Sequence, residues 1–124
     1  MLSNANSTSG TPTWHQLSPT GTVPSARKGS FAVYSSSTNI LTVFGGDAGG
    51  APFDDIWVLS FVNGAGGIPA WHEITASNNG PSARSGHTAT CDPAHDLMTV
   101  YGGFDGTNLL GDSWVLSTAS GAGT

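Results

Sequence analysis

A repeat without gaps limits the fold of this chain more than any other feature of its sequence. Segments return at a constant offset of 57 residues (102 − 45): Gly45-Gly46 as Gly102-Gly103, PSAR of 24–27 as 81–84, and WVLS of 57–60 as 114–117. Self-similarity at a fixed period indicates equal structural units that pack on one another. One repeated architecture must therefore account for the whole chain.

The repeat divides the sequence into an N-terminal overlap segment, 1–13, and two repeats, 14–67 and 68–124. The overlap segment continues the pattern backwards, because Leu2-Ser3 matches Leu59-Ser60. Met1 stands where the repeat places Val58. This position predicts that the chain is cut from within a longer array.

Each repeat contains four short apolar or β-branched segments bounded by turn-forming residues, which predicts strands. The predicted strands are Trp14–Leu17, Ser30–Tyr34, Ile40–Phe44 and Ile56–Ser60, then Trp71–Ile74, His87–Cys91, Leu97–Tyr101 and Ser113–Ser117. No segment has an apolar period of 3.6 residues that is long enough to predict a helix. Ile40–Phe44 is apolar on both alternating faces, so we expect sheets stacked face to face.

Composition and charge exclude several classes of partner. Only 9% of residues are charged. Lys and Arg together number three and Asp and Glu together number eight, which gives a net charge of -5. This balance argues against nucleic-acid binding. No apolar run reaches the roughly 20 residues that span a bilayer, and no export signal opens the chain. We expect a soluble protein without a membrane partner, and a single lysine among many Ser, Thr and Gly suits a secreted bacterial parent.

The glycine pairs raise the question of phosphate binding. A phosphate-binding loop of the Walker type needs Gly-Lys-Ser/Thr before a helix, whereas Gly45-Gly46 precedes Asp47 and no helix is predicted. An acidic side chain there would repel a phosphate. The glycines are therefore interpreted as architectural: Gly45, Gly46, Gly102 and Gly103 turn the chain and allow close approach of aromatic residues such as Trp57 and Trp114.

Together, PSAR-x-Gly before a strand, a strand ending in Gly-Gly, and a later Asp-x-Trp resemble the kelch repeat of β-propeller proteins. The resemblance implies an all-β fold of four-stranded antiparallel blades, with PSAR at the innermost strand and the Trp-led strand outermost. Two departures stand out. Lys28 and Ser30 replace the second copy's Ser85 and His87, and Phe53 and Leu110 stand nearest to the family's aromatic after Gly-Gly.

The residues do not favour catalysis or a metal. His87 and Cys91 share one side of a predicted strand, but no second Cys or Glu completes a tetrahedral set. Cys91 is the single cysteine, so no disulfide within the chain is expected. Ser85-Gly86-His87 lacks a carboxylate behind the histidine and a nucleophile elbow. We predict a protein that is not an enzyme and has no cofactor.

The repeat-equivalent charges are assigned a structural role. Arg27 and Arg84 recur with Asp55 and Asp112. We expect each arginine to make a charge-assisted hydrogen bond to an aspartate of its own or an adjacent blade, or to loop carbonyls, fixing the loop before the inner strand.

Recognition residues are expected where the copies differ, in the loops 47–54 and 104–111. The candidates are Asp47, Phe53, Phe104, Asp105, Asn108, Leu109 and Leu110. The alternative is that the apolar members of this set cap the core between blades. A protein or glycan is the expected kind of ligand.

The places where the repeat is cut predict self-association. Trp71–Ile74 closes the first blade, while the strand of Trp14, His15, Gln16 and Leu17 lacks its first three partners and the second blade lacks a fourth strand. Two blades cannot close a ring. We predict a head-to-tail cyclic homo-oligomer in which this strand completes the neighbour's blade, best as three chains with six blades, next as four with eight.

The predicted function is that of a structural and protein-interaction scaffold, a self-assembling propeller fragment of natural or engineered origin. Two alternatives stay open. One is a carbohydrate-binding or enzymatic propeller that uses the central channel, and the other is a fragment of a larger kelch protein.

Overall fold

The computed structural model describes residues 2–3 and 10–121. Within them lie nine strands and no helix: β1 Leu2–Ser3, β2 Thr13–Trp14, β3 Phe31–Ser35, β4 Ile40–Phe44, β5 Ile56–Ser60, β6 Ala70–Ile74, β7 Thr88–Asp92, β8 Leu97–Tyr101 and β9 Ser113–Ser117. The fold is all-β, as predicted. Four strands, β4, β5, β8 and β9, have the predicted bounds.

The strands form three antiparallel sheets. The first sheet has the order β3-β4-β5-β6, the second sheet has the order β7-β8-β9, and β1 pairs with β2 alone. Tight turns connect β3 to β4 and β7 to β8, where Asn39 and Asp96 have positive φ. The second sheet has three strands in the described ranges, so its outer strand β9 is an edge.

The core lies between the two sheets. Val33 and Phe44 of the first sheet pack against Met98 and Val100 of the second, with Ala119 beside them. Alternation places Val33 and Phe44 on one side of the first sheet and Met98 and Val100 on the facing side of the second. The sheets are therefore stacked face to face, as the apolar pattern of β4 indicates.

Backbone hydrogen bonds join the two repeats beyond this apolar contact. The Gly46 N–H donates to the Arg84 carbonyl at 2.9 Å, and the Arg84 N–H donates to the Phe53 carbonyl at 3.1 Å. The Gly86 N–H donates to the Gly29 carbonyl at 2.7 Å, which links equivalent positions of the two copies. The sheets are thus connected through main-chain groups as well as side chains.

The N-terminal segment differs from the prediction. The strand expected over Trp14–Leu17 is Thr13–Trp14, and it has a partner in its own chain, since Leu2 lies opposite Trp14 and Ser3 opposite Thr13. A strand extends only as far as its partner supplies backbone groups, and β1 supplies two residues. The prediction that all three preceding strands are missing is therefore wrong for Leu2–Ser3.

Smaller corrections concern the inner strands and β6. The strands predicted from Ser30 and His87 begin one residue later, at Phe31 and Thr88, and β6 begins at Ala70 rather than Trp71. Gly29 and Gly86 have φ of 64° and 67°, so the extended backbone starts only after they turn the chain.

Candidate functional site

Each repeat contains a hydrogen-bonded Arg-Asp-Trp cluster. In the first cluster Arg27 donates to both carboxylate oxygens of Asp55, at 2.5 and 2.8 Å, and the Trp57 indole N–H donates to the same carboxylate at 2.7 Å. Arg27 also donates to the Gly45 carbonyl at 3.0 Å. A bidentate arginine is held in one orientation by such a set.

The second cluster has the same geometry with Arg84, Asp112 and Trp114. Arg84 donates to Asp112 at 2.7 and 3.0 Å and to the Gly102 carbonyl at 2.9 Å, and the Trp114 indole donates to Asp112 at 2.6 Å. The pairing expected from the sequence is thus present in both copies. The sequence did not reveal the tryptophan donor, although the two-residue spacing of Asp-x-Trp is constant.

The hydrogen bonds explain the acidity of both aspartates. Burial would raise the pKa of Asp55, but the hydrogen bonds from Arg27 and Trp57 outweigh it and hold that pKa below its ordinary value. For Asp112, the hydrogen bonds from Arg84, followed by that from Trp114, hold the pKa well below the ordinary value. Both carboxylates are therefore charged at neutral pH.

The clusters differ in what covers the arginine. The Arg27 guanidinium lies 4.4 Å from the centre of the Phe53 ring, a cation–π contact. Leu110, the equivalent of Phe53, has no ring to offer. Arg84 is nevertheless fully buried, because it lies where the second repeat packs against the first.

The glycine pairs allow close contacts between backbone segments. A Cβ on Gly45 would lie 2.6 Å from the Arg84 carbonyl oxygen, and one on Gly46 would lie 2.8 Å from that of Lys28. Both glycines have positive φ. The expected close approach is therefore real, but the nearest atoms are backbone carbonyls rather than the indole rings of Trp57 and Trp114.

The two variable loops lie side by side. A Cβ on Gly106 would lie 3.5 Å from Cδ of Pro52 in the other loop. In the first loop, Asp47 accepts the Gly49 N–H at 2.8 Å, and this bond is the main cause that lowers the pKa of Asp47. Phe53 is half-buried against Arg27. The first loop is thus held by a hydrogen bond at Asp47 and by the contact of Phe53 with Arg27.

The second loop presents more apolar surface. Asp105 accepts the backbone N–H groups of Asn108 and Thr107 at 2.6 and 2.8 Å, which lower its pKa and fix a tight turn. This turn leaves the Leu109 side chain 87% exposed, while Leu110 is half-buried. Phe104 and Tyr101 are also exposed, around a shallow depression that Leu109 helps to line.

A buried histidine was not recognised from the sequence. His87 is 4% exposed, its ring meets the Phe44 ring edge-on at 5.2 Å between centroids, and neither ring nitrogen makes a hydrogen bond of good geometry. Burial, and secondarily the charge of Arg84, lower the pKa of His87, against a weaker opposing influence of the Phe44 backbone. The neutral imidazole is therefore part of the contact between the sheets.

His95 and Cys91 have separate hydrogen-bond partners. His95 contacts Asp92 at 2.6 Å in the turn after β7, and the Cys91 thiol donates to the Tyr34 carbonyl at 3.2 Å. Across the described residues, no group of three or more His, Cys, Asp and Glu is arranged to hold a metal ion. In the same ranges no helix has the length and apolar character needed to cross a membrane.

A cleft of about 370 Å³ opens between the two sheets, next to the edge strand β9. Its apolar lining includes Phe44, Ile56, Ile74, Met98, Trp114 and Leu116. In the first sheet the residues equivalent to Trp114 and Leu116 are buried and β6 lies beside them. The cleft thus borders the place where a fourth strand of the second sheet would lie.

Comparison with known protein families agrees with this arrangement of repeats. A family model described as the KLHDC2/KLHL20/DRC7 Kelch-repeats domain matches residues 6–122, which is nearly the whole chain. The Arg-Asp-Trp clusters, the glycine pairs and the two larger antiparallel sheets all lie within this range. The chain belongs to the kelch-repeat family.

Proposed function

We propose that the chain is a non-enzymatic interaction scaffold whose copies associate head to tail into a closed propeller. Membership of the kelch-repeat family supports the scaffold role, since such domains generally serve as non-enzymatic scaffolds. One observation carries the assembly: the second sheet ends at an edge strand, while Thr13–Trp14 aligns with the strand that completes the first sheet.

The exposed side chains at both ends of the chain support this assembly. Trp14 is 78% exposed, whereas its equivalent Trp71, on β6 and paired with β5, is half-buried. At the other end Val115 is 60% exposed, although its equivalent Val58 is 5% exposed. An open strand edge beside apolar surface favours association with another strand. Three chains would give six sheets and four chains eight.

Native mass spectrometry and sedimentation test the assembly. We expect a trimer, with a tetramer as the next candidate, and we expect deletion of residues 1–17 to give a monomer. Gln16→Pro in the full chain should have the same effect, because proline removes an amide from the new strand pair. Gln16→Ala is the matched control. A well-folded wild-type monomer at all concentrations would contradict the proposal.

The second variable loop supports a further role in binding a protein or a glycan. Its apolar tip at Leu109 and the neighbouring Phe104 ring are exposed on a turn that Asp105 keeps rigid. The test is binding to a glycan array and a peptide library by the wild type, Leu109→Ser and the control Thr107→Ala. Loss of binding only in Leu109→Ser, at unchanged stability, is expected. Equal binding by all three proteins would assign the ligand to another surface.

A further inference from the structure

The N-terminal strand β1 repeats a dipeptide found at the ends of two longer strands. Leu-Ser occurs at residues 2–3, at the end of β5 (59–60) and at the end of β9 (116–117), each 57 residues apart. β5 is the strand that binds β6 in the completed first sheet. β1 thus has the sequence of the final two residues of a third strand.

The pairing of β1 has the same register as that of β5. In the first sheet Leu59 lies opposite Trp71 and Ser60 opposite Ala70. At the N-terminus Leu2 lies opposite Trp14 and Ser3 opposite Thr13. Subtracting the offset of 57 from each residue number of the first set of partners gives the second set. β1 therefore occupies, on β2, the position that a complete third strand would take.

We infer that β1 is a built-in competitor of assembly, because it covers the part of β2 that Leu116–Ser117 of a second copy must occupy. The inference rests on the proposed head-to-tail association. The same repeat relation places Leu116 of the second copy opposite Trp14 and its Ser117 opposite Thr13. Two strands cannot pair with the same edge at once, so β1 must leave before the second copy binds.

The two partners offer unequal lengths of strand. β1 pairs two residues, whereas β9 has five, and its remaining residues would lie opposite His15, Gln16 and Leu17. These three residues follow the end of β2 and would join the strand only when β9 binds. The exchanged strand would then match the five-residue length of β6.

Side-chain surroundings favour the exchange as well. The cleft beside β9 contains Trp114 and Leu116 and borders the place where a fourth strand of the second sheet would lie. In the first sheet Leu59 is buried opposite Trp71. Trp14 would pack beside Leu116 in the same way. We expect the form in which β1 pairs with β2 of its own chain to dominate in dilute solution. At higher concentration, the form in which β9 of a second copy pairs with β2 should dominate.

A reversible disulfide tests the competition directly. Ser3 and Thr13 are cross-strand partners, and Cα atoms of such pairs lie about 4.5 to 5.5 Å apart, within the range that a disulfide bridges. The variant carries Ser3→Cys and Thr13→Cys, with Cys91→Ser to remove the native thiol. Oxidation should hold β1 on β2 and leave the chain monomeric in native mass spectrometry. Reduction should restore the association of the Cys91→Ser control.

Removal of β1 should have the opposite effect. Deleting residues 2–10 frees β2, and we expect the apparent dissociation constant of the assembly to fall about tenfold, since a competing closed state lowers apparent affinity by its population. Ser7→Ala, a single small change within the deleted segment, is the control. Hydrogen exchange should slow at Gln16 and Leu17 only in the assembled form.

The outcomes separate the two proposals. If the oxidised variant associates as well as the reduced one, or the deletion does not strengthen association, β1 is no competitor, and head-to-tail association stands without it. If the reduced variant, the deletion variant and the wild type are all monomeric at millimolar concentration, head-to-tail association is wrong and the competition falls with it.

Discussion

The sequence WVLS forms a strand in each repeat, and the two copies have different surroundings. Trp57 and Val58 are 7% and 5% exposed in the first sheet, whereas Trp114 and Val115 are 36% and 60% exposed in the second. Both copies pair with the preceding strand in the same register. The repeated sequence thus determines hydrogen bonding within a sheet, while the neighbouring strand and sheet determine burial.

The largest effect is expected from the two tryptophans. Trp57→Ala should lower the free energy of unfolding by about 4 kcal/mol, because a large buried side chain is removed. Trp114→Ala should cost about 1 to 2 kcal/mol in the monomer, since its ring is already partly in water. Urea unfolding at a dilution that keeps the chain monomeric measures both.

Phenylalanine variants at the same positions are the control, because they keep a ring and lose the hydrogen bond to Asp55 or Asp112. Their losses should be similar to each other. Equal losses for the two alanine variants would show that the difference in burial between Trp57 and Trp114 does not determine their contributions to stability.

The arginines should give the next effect. Arg84→Ala should cost about 3 kcal/mol, because it removes a fully buried guanidinium and leaves the Gly102 carbonyl without its donor. Arg27→Ala should cost about 2 kcal/mol, since the Arg27 side chain is 7% exposed and its charge is less completely desolvated. Thermal and urea unfolding compare the two variants with Lys28→Ala, whose exposed side chain should contribute less than about 0.5 kcal/mol. A larger loss of stability for Arg27→Ala than for Arg84→Ala would contradict this prediction.

Two valines give a smaller contrast. Val58→Ala should cost about 2 kcal/mol through lost burial and a cavity, whereas Val115→Ala should change the monomer by less than about 0.5 kcal/mol. If β9 enters an interface between copies, Val115→Asp should weaken association while the monomer unfolds at the same urea concentration. Sedimentation and urea unfolding measure these two quantities. An equal cost for the two alanine variants would contradict the contrast.

The smallest effect is expected in the pH dependence of stability, which His87 should cause and its repeat equivalent Ser30 should not. Folding lowers the pKa of His87, so the unfolded chain takes up a proton that the folded chain resists. Stability is therefore full above the unfolded pKa of about 6.5 and falls as pH drops below it, by at most about 1.4 kcal/mol per pH unit, until the folded pKa is reached. His87→Ser should remove this slope. Urea midpoints between pH 8 and pH 5.5 check it, and unchanged slopes in the variant would reject it.

The sequence was sufficient for the parts of the fold that are determined within one repeat. Short apolar or β-branched segments between turn formers defined β4, β5, β8 and β9, and the recurrence of Arg27 and Asp55 in both copies indicated that an arginine pairs with an aspartate. These features depend on residues that lie close together in every copy. They can therefore be recognised by comparing the two repeats alone.

Features that depend on contacts between units were not predictable from the sequence. β2 is two residues long because its partner β1 is two residues long, and no pattern within 14–17 shows this. The sequence placed His87 at the start of a strand and gave no sign of its burial, yet Phe44 of the first sheet covers its ring. The exposed tip at Leu109 results from the turn that Asp105 stabilises. The sequence did not predict this exposure, because the apolar residues of the loop were equally compatible with a position in the core.

The hydrogen bond from Gly86 to Gly29 joins the same position in consecutive copies. A donor and an acceptor supplied by equivalent residues can be extended, because each added copy brings a new donor and leaves its own acceptor for the next. In genetic terms, an in-frame duplication of the 57-residue unit would need no adaptive substitution at this joint. The length of such a chain can therefore change by whole units, while every junction keeps the geometry of the one seen between these two.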